Sequence, residues 1–211
     1  MRTTRLDLST FDGQLIDGLE FSRKVYDFFD QTQREPGGIK LRLRSTVAAK
    51  KLLDELIPIA WFVQTRYQQG RRIKVRWFRG SQPHDAILWS PGGLVTHGMV
   101  RRRQLVEVTT AVHPNGHLSR EQLDRTGRSW SAKQIRRDKR TREITSEPYV
   151  YEGEELSQDL SGQILECLKK KGAKTYPPST LLIVNCESDG LVLEDEWDDA
   201  VARVKQAPGF S

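Results

Sequence analysis

Three short β-type segments follow one another in the middle of this chain, with turn residues rather than a helix between them. They read RIKVRWF from residue 72, DAILW from residue 85 and QLVEVTTAV from residue 104. The first alternates apolar and polar side chains, which is typical of a strand with one buried face. Pro91, Gly92 and Gly93 supply turn residues between the second and third segments. The three segments therefore predict three successive strands of one sheet.

Helical patterns flank these strands. Residues 46–70 carry an apolar stripe at helical spacing, and Pro58 is expected to kink this helix or to split it. A second helix is predicted from residue 155, with a basic last turn, and the apolar residues 181–184 after it predict a strand buried on both faces. A C-terminal helix begins near Glu194. The order predicts an α/β fold with a mixed central β-sheet flanked by helices and an αβββαβ core.

The N-terminal part is predicted to stand apart from this core. Residues 1–44 are expected to form a helix followed by an extended arm or short strand at residues 39–44, with Pro36 ending the helix. The core is expected to cover residues 45–211, with a basic excursion at residues 113–154. The helix carries Phe21, Phe28 and Phe29, which either pack on the chain's own core or form a homodimer face.

The charge of the chain is unevenly distributed. The formal net charge is +6, and residues 101–142 hold twelve Lys or Arg against four Asp or Glu. A basic segment of this kind attracts polyanions by releasing their counterions, although a solvated loop has the same composition. Nucleic acid, DNA or RNA, is therefore the expected partner.

Membrane and secretory classes do not fit this sequence. No apolar segment approaches the ~18 residues needed to span a bilayer, and the N-terminus lacks the apolar core of a signal peptide. Cys167 and Cys186 are the only cysteines, too few for a disulfide framework or a four-ligand zinc site, and are expected to be buried small apolar residues. A cytoplasmic location is the default expectation.

Two carboxylates occupy corresponding places on the second and third predicted strands. Asp85 opens the second strand and Glu107 lies in the middle of the third. If these strands pair antiparallel, the two acids lie side by side on one face. Mg²⁺ typically takes one or two protein carboxylates and completes its shell with water and phosphate oxygens. A site for Mg²⁺ or Mn²⁺ is therefore expected at Asp85 and Glu107, and it would activate a water to attack a phosphodiester.

The order αβββαβ, with PHD at the start of one strand and EVT on the next, resembles the PD-(D/E)xK, or restriction-endonuclease-like, nuclease superfamily. Asp85 matches the aspartate of that pattern and Glu107 matches its second acid. The chain departs from the pattern at His84, which is inserted between Pro83 and Asp85, and at Thr109, which stands where the lysine belongs.

The resemblance implies a metal-dependent nuclease whose missing lysine must be replaced. Thr109 shares a strand face with Glu107 and would orient a water. Lys74, on the neighbouring strand, is a candidate for the missing cation, and so are Lys169 and Lys170 on the later helix. Glu55, on the helix before the strands, would add a third metal ligand; a solvated acid on an amphipathic helix has the same sequence pattern.

Further basic and aromatic residues are candidates for contacts to nucleic acid. Phosphates are contacted by arginine and lysine, and bases stack on aromatic side chains. Trp77 and Trp89 fall in strand patterns and are expected in the core. The candidates are Arg101, Arg102, Arg103, Arg120, Trp130, Lys169 and Lys170.

The sequence thus leaves two functions open. One is a Mg²⁺-dependent or Mn²⁺-dependent nuclease that uses the Asp85 and Glu107 pair. The other is a catalytically inactive nuclease-like module that binds nucleic acid or protein. The absent lysine favours the module. The acid pair favours the enzyme, because carboxylates that face phosphates weaken binding unless a cation lies between them.

Overall fold

The computed structural model describes residues 6–35, 38–69, 71–151, 154–188 and 192–206. These residues form two compact units, each built from two separate stretches of the chain. The first unit takes its residues from 1–109 and 175–185, and the second from 110–174 and 186–211. The N-terminal helix belongs to the first unit, so the division differs from the expected boundary at residue 44. None of the helices in the described ranges has both the length and the apolar character needed to cross a membrane.

A mixed sheet of five described strands, in the order β1-β2-β3-β4-β7, organises the first unit. Its three central strands pair antiparallel, with Trp77 opposite Ala86 and Ala86 opposite Val106. This arrangement confirms the α/β class and the three successive strands. The strands are β1 (Leu15–Asp17), β2 (Lys74–Trp77), β3 (Ala86–Trp89), β4 (Arg103–Ala111) and β7 (Thr180–Cys186).

Helices cover one face of this sheet and bury its apolar side chains. Trp77, Ala86 and Val106 are fully buried there, in a core shared with Phe21 and Leu56. Phe28 and Phe29 also pack against this core. Of the two expectations for the aromatic residues of the first helix, packing on the chain's own core is confirmed. The helical segments of the first unit are α1 (Gly18–Arg34), a 3-10 helix (Gly38–Leu43), α2 (Val47–Lys51), a π-helical segment (Leu52–Leu56), α3 (Ile57–Arg66) and α4 (Gly93–Thr96).

The helix expected over residues 46–70 runs from α2 through the π-helical segment into α3. Pro58 lies in the first turn of α3, directly after the π-helical segment. A proline has no backbone N–H to donate, and a π-helical segment changes the hydrogen-bond register before it. The helical path therefore continues with an altered turn in front of Pro58. This altered turn carries Glu55, one of the predicted site residues.

The second unit consists of helices and a two-stranded hairpin. Leu156 and Leu160, from α6 (Glu155–Gly172), form one apolar cluster with Ala200, from α7 (Glu194–Gln206). Leu118, Ala132 and Ile135 form another. Gly127 ends α5 in the left-handed conformation with φ of 71°, as expected for a glycine after a helix. The elements are α5 (Gly116–Thr126), a 3-10 helix (Ala132–Gln134), β5 (Ile135–Arg137), β6 (Ile144–Ser146), α6 (Glu155–Gly172) and α7 (Glu194–Gln206).

Three expectations about local structure were wrong, and one element was missed. Residues 39–44 were expected to be extended, but Gly38–Leu43 is a 3-10 helix that buries Leu41 in the core. β7 is half-buried along its whole length, because it is the last described strand of the sheet and not an interior one. Trp89 is 38% exposed, since it lies on the face of β3 opposite the buried Ala86 and Leu88. The β5–β6 hairpin was not predicted at all.

Candidate functional site in the first unit

Asp85 and Glu107 lie at the same end of the β3–β4 pair. Ala86 is opposite Val106 at the end of this pairing, so Asp85 directly precedes the paired part of β3 and Glu107 directly follows Val106 on β4. The Asp85 N–H donates to the Val106 carbonyl at 2.7 Å, and the Phe78 N–H donates to the Asp85 carbonyl at 2.9 Å. Backbone hydrogen bonds therefore hold Asp85 between β2 and β4, next to the middle of β4.

The carboxylate of Asp85 is anchored to the neighbouring strand. Its Oδ2 accepts the Val108 N–H at 2.7 Å, and Val108 is only 6% exposed. This hydrogen bond satisfies a buried backbone donor and fixes the direction of the side chain. Because Val108 follows Glu107 directly, the anchored carboxylate lies against the backbone of β4 one residue after the second predicted acid. Glu107 in turn accepts a long hydrogen bond of 3.4 Å from the hydroxyl of Tyr176.

A lysine and a third acid reach this region from the helical layer. Lys51 Nζ donates to both carboxylate oxygens of Glu55, at 3.0 and 3.2 Å. The indole Nε1 of Trp77 donates to Glu55 Oε2 at 3.0 Å, and Lys51 Nζ lies 5.6 Å from the centre of the Trp77 ring. Trp77 is fully buried and pairs with Ala86, the residue after Asp85. The core tryptophan therefore fixes both helical side chains over the sheet.

Electrostatic coupling joins Glu55 to Asp85. Burial raises the pKa of Glu55 above its ordinary value, and the negative charge of Asp85 raises it further. The hydrogen bonds and charge of Lys51, together with the hydrogen bond from Trp77, act in the opposite direction. Asp85 can act on Glu55 in this way only if the two carboxyl groups are near each other. Lys51, Glu55 and Asp85 are thus linked to one another, and Glu107 adjoins Val108, whose N–H binds Asp85; we call these four residues the acidic cluster.

His84, the residue inserted into the motif, belongs to the same neighbourhood. Burial lowers the pKa of His84, the positive charge of Arg103 lowers it further, and the charges of Asp85 and Glu107 oppose this. The imidazole packs edge-on against Phe78, with 5.5 Å between ring centres. Its Nδ1 is buried and makes no hydrogen bond to any described residue. With its pKa below 6.5, His84 is neutral at pH 7 and contributes a hydrogen-bonding nitrogen instead of a charge.

Glu55 does not have the surroundings expected of a third metal ligand. Both of its oxygens accept hydrogen bonds from Lys51, and one also accepts from Trp77. Across the described ranges, no group of three or more His, Cys, Asp or Glu side chains is arranged to hold a metal ion. The acids that remain as direct oxygen donors are Asp85 and Glu107, a number that suffices for Mg²⁺.

The lysine that contacts one of the three predicted acids is Lys51, which pairs with Glu55, and the role of Lys74 as the missing cation stays a prediction. Lys74 is opposite Trp89, and it lies four residues along β2 from Phe78, whose N–H binds Asp85. At strand rise this separation is about 13 Å. The spacing of Lys51 and Glu55, four residues apart on a helix, was the available sequence signal for this pair.

The other predicted residues of the first unit lie around the same strands. Thr109 is half-buried on β4, two residues after Glu107, so it shares the strand side of that acid. Arg101, Arg102 and Arg103 are exposed where β4 begins, and the Arg101 guanidinium donates to the Ser179 hydroxyl. Tyr176 was missed, because its place beside Glu107 depends on the return of the chain into β7.

The remaining predicted contacts to nucleic acid lie in the second unit. Arg120 forms an ion pair of 3.2 Å with Glu187. Lys169 and Lys170 are exposed in the last turn of α6, where Lys170 pairs with Glu166 at 2.6 Å. Trp130 is 51% exposed. Binding of nucleic acid by these residues stays a prediction.

Comparisons with protein-family models, with curated proteins and with solved structures gave no match to this chain.

Proposed function

We propose that the first unit is a metal-dependent phosphodiesterase acting on nucleic acid, a divergent nuclease of the PD-(D/E)xK type. One observation carries the proposal: Lys51 of the helical layer pairs with Glu55, and the charge of Asp85 acts on Glu55, so a single residue links this lysine to one of the two motif acids. The motif lysine is absent from β4, where Thr109 stands. A lysine from a neighbouring element restores the required combination of two acids and one cation.

The donor set at this place fits Mg²⁺ or Mn²⁺. Asp85 and Glu107 offer carboxylate oxygens, the ligands that hard divalent cations prefer, and two carboxylates are their usual protein contribution. Asp85 is oriented by the Val108 N–H and Glu107 by the Tyr176 hydroxyl, so both donors are supported by neighbouring groups. A cation bound there would polarise a phosphate oxygen and lower the pKa of a coordinated water.

The side chains around Asp85 and Glu107 have separate roles in the proposed reaction. Lys51 is suited to donate from Nζ to a non-bridging oxygen of the phosphate and to stabilise its developing negative charge. Glu55 and Trp77 position Lys51, since Glu55 accepts from its ammonium group and the Trp77 ring lies under the same group. The Thr109 hydroxyl is suited to orient a water on the Glu107 side of β4. Because burial lowers its pKa, His84 is neutral at pH 7 and is suited to accept a proton from the attacking water, becoming an imidazolium.

Charge balance supports an enzyme that uses a cation. With Glu55, Asp85 and Glu107 ionised against Lys51, the acidic cluster has a net charge of −2. A phosphodiester would be repelled by this charge unless a cation lay between them. The proposed Mg²⁺ removes that repulsion.

A second candidate function has its own observation. Lys51 makes two hydrogen bonds to Glu55, so its ammonium group is already engaged inside the protein. A lysine held in this way does not reach a substrate phosphate without a change of partner. This favours a nuclease-like module that binds nucleic acid or protein and performs no chemistry.

Cation binding is the first test. Isothermal titration of the full chain with Mn²⁺ should give saturable heat, and Asp85→Asn should abolish it. This substitution keeps an oxygen that can accept the Val108 N–H, so it removes the charge and keeps the anchor. Absence of binding to the wild-type chain would overturn the enzyme.

Cleavage is the second test, with plasmid and single-stranded DNA and RNA in Mg²⁺. Lys51→Met should lower the rate by about a hundredfold or more, the usual effect of removing one group that stabilises transition-state charge. Lys50→Met is the matched control, because Lys50 is the adjacent exposed lysine, and its rate should stay near wild type. Lys51→Arg should retain part of the activity. Equal cleavage by the wild type and by Glu107→Gln would identify a contaminant and sink the assignment.

A further inference from the structure

The β5–β6 hairpin of the second unit presents a concentration of positive charge. Residues 128–147 hold seven Lys or Arg against three Asp or Glu. Two of these cations are engaged inside the unit. Lys133 pairs with Glu155 and Asp159, and Arg137 pairs with Glu121. Arg136, Lys139, Arg140 and Arg142, by contrast, are exposed and form no ion pair with any residue that the structure describes.

The strand register explains this division of roles. Ile135 is opposite Ser146 and Arg137 is opposite Ile144, so these four residues share one face of the hairpin. That face packs against the rest of the unit, because Ile135 is buried with Leu118 and Ile144 adjoins the same cluster. Arg136 and Thr145, the pair between them, point the other way and are exposed. The exposed cations are therefore on the outer face and in the turn, while the apolar face attaches the hairpin to its unit.

The turn that joins the two strands is held in one shape. The Asp138 carboxylate accepts the N–H groups of Arg140 at 2.8 Å and of Thr141 at 2.6 Å. The Arg142 N–H donates to the Asp138 carbonyl at 3.0 Å, and Arg142 has a positive φ of 62°. These backbone hydrogen bonds lower the pKa of Asp138, so its carboxylate stays ionised and keeps the turn together. A turn fixed in this way presents Lys139, Arg140 and Arg142 without first losing backbone freedom on binding.

We infer that this basic turn, defined as Arg136, Lys139, Arg140 and Arg142, contacts the phosphate backbone of duplex DNA. Cations on a fixed backbone match a regular line of phosphates and bind it by releasing counterions. A two-stranded β-ribbon also fits the major groove of B-form DNA, whereas the major groove of duplex RNA is too narrow. The choice of nucleic acid as the ligand rests on the proposed function, which it deepens by naming the substrate class.

The test is binding of the full chain to a 20-base-pair DNA duplex, measured by fluorescence anisotropy in EDTA over a series of salt concentrations. The test variant is Lys139→Ala, Arg140→Ala and Arg142→Ala together. The matched control replaces three exposed cations of the first unit by alanine: Arg23, Lys50 and Arg72. Each lost phosphate contact lowers the slope of log affinity against log salt by about 0.9. The test variant should therefore lose a slope of roughly 2–3 and at least tenfold in affinity at low salt, and the control should lose less than one unit.

The outcomes separate this inference from the proposed function. EDTA removes divalent cations, so DNA binding that depends on the basic turn supports the inference even if the wild-type chain never cleaves. Equal losses in the test and control variants overturn it, because the effect would then be one of general charge. Equal affinity for duplex RNA overturns the DNA assignment. Binding to vesicles with anionic headgroups, without binding to DNA, overturns the inference in favour of a membrane surface.

Discussion

Replacing Asp85 by asparagine and by alanine separates two roles of its carboxylate. Both substitutions remove the negative charge, and both therefore remove the repulsion that raises the pKa of Glu55. Asparagine keeps an oxygen that can accept the Val108 N–H, and alanine does not. The difference in stability between the two variants therefore reports the hydrogen bond together with the packing of the amide group. The loss of cation binding, expected in both, reports the charge.

The size of the difference follows from the burial of Val108. Val108 is only 6% exposed, so water cannot replace the lost acceptor unless β4 opens. A buried donor left without a partner costs about 1–3 kcal/mol. For a chain of this length a change of 1 kcal/mol shifts the melting temperature by roughly 2–4 °C. Asp85→Ala should then melt roughly 2–12 °C below Asp85→Asn.

Urea unfolding of the two variants, followed by tryptophan fluorescence, gives the free energies directly. Amide hydrogen exchange adds a local reading, since the Val108 N–H should exchange faster in Asp85→Ala than in Asp85→Asn. Equal stability and equal exchange in the two variants would refute the anchoring of Asp85 on β4. The relation of Asp85 to Glu107, on which the candidate site depends, would then lose its structural support.

Three further predictions concern single side chains. The pKa of Glu55 is raised above 4.5, so between 4.5 and the raised value the native state binds more protons than the unfolded state. The stability of the wild type should therefore fall relative to that of Glu55→Gln as pH rises through this range. Urea midpoints of the two proteins that stay parallel from pH 4 to 8 would contradict this. Lys133→Met should lower the free energy of unfolding by about 1–2 kcal/mol, because Glu155 and Asp159 lose their shared cation and repel each other. An unchanged urea midpoint would contradict this. Burial raises the pKa of Cys186 to about 11. Its alkylation in the native chain, measured by mass spectrometry, should therefore be slow at pH 8, and the rate should rise about tenfold per pH unit. A rate that levels off below pH 9 would contradict this.

The sequence determined the elements whose hydrophobic pattern agrees with their structure. The alternation in RIKVRWF buries Val75 and Trp77 on one face, as it must for a strand with a helical layer on one side. The same reasoning located Asp85 at the start of β3 and Glu107 within β4, because a strand period of two fixes which residues are neighbours once a register is chosen. These are local consequences of side-chain pattern.

Local pattern was insufficient for elements whose shape depends on distant partners. The sequence IKLRLR alternates like a strand, but it coils into a 3-10 helix that buries Leu41 in the core. RRDKRTREI is polar and basic, yet Ile135 and Ile144 anchor it as a hairpin on Leu118. In both cases the free energy gained by burying one or two apolar side chains against another element outweighs the local preference.

The candidate site itself was decided by tertiary structure. Sequence order offered Lys74 on the neighbouring strand, and the antiparallel register carries that residue to the other end of β2, opposite Trp89. Lys51 lies over the ring of the buried Trp77, which also donates to Glu55, the partner of Lys51 one helical turn away. Spacing along a chain sets which residues share one helix or strand. Which residues of different elements meet depends on packing, because only the filled core fixes how those elements are placed against each other.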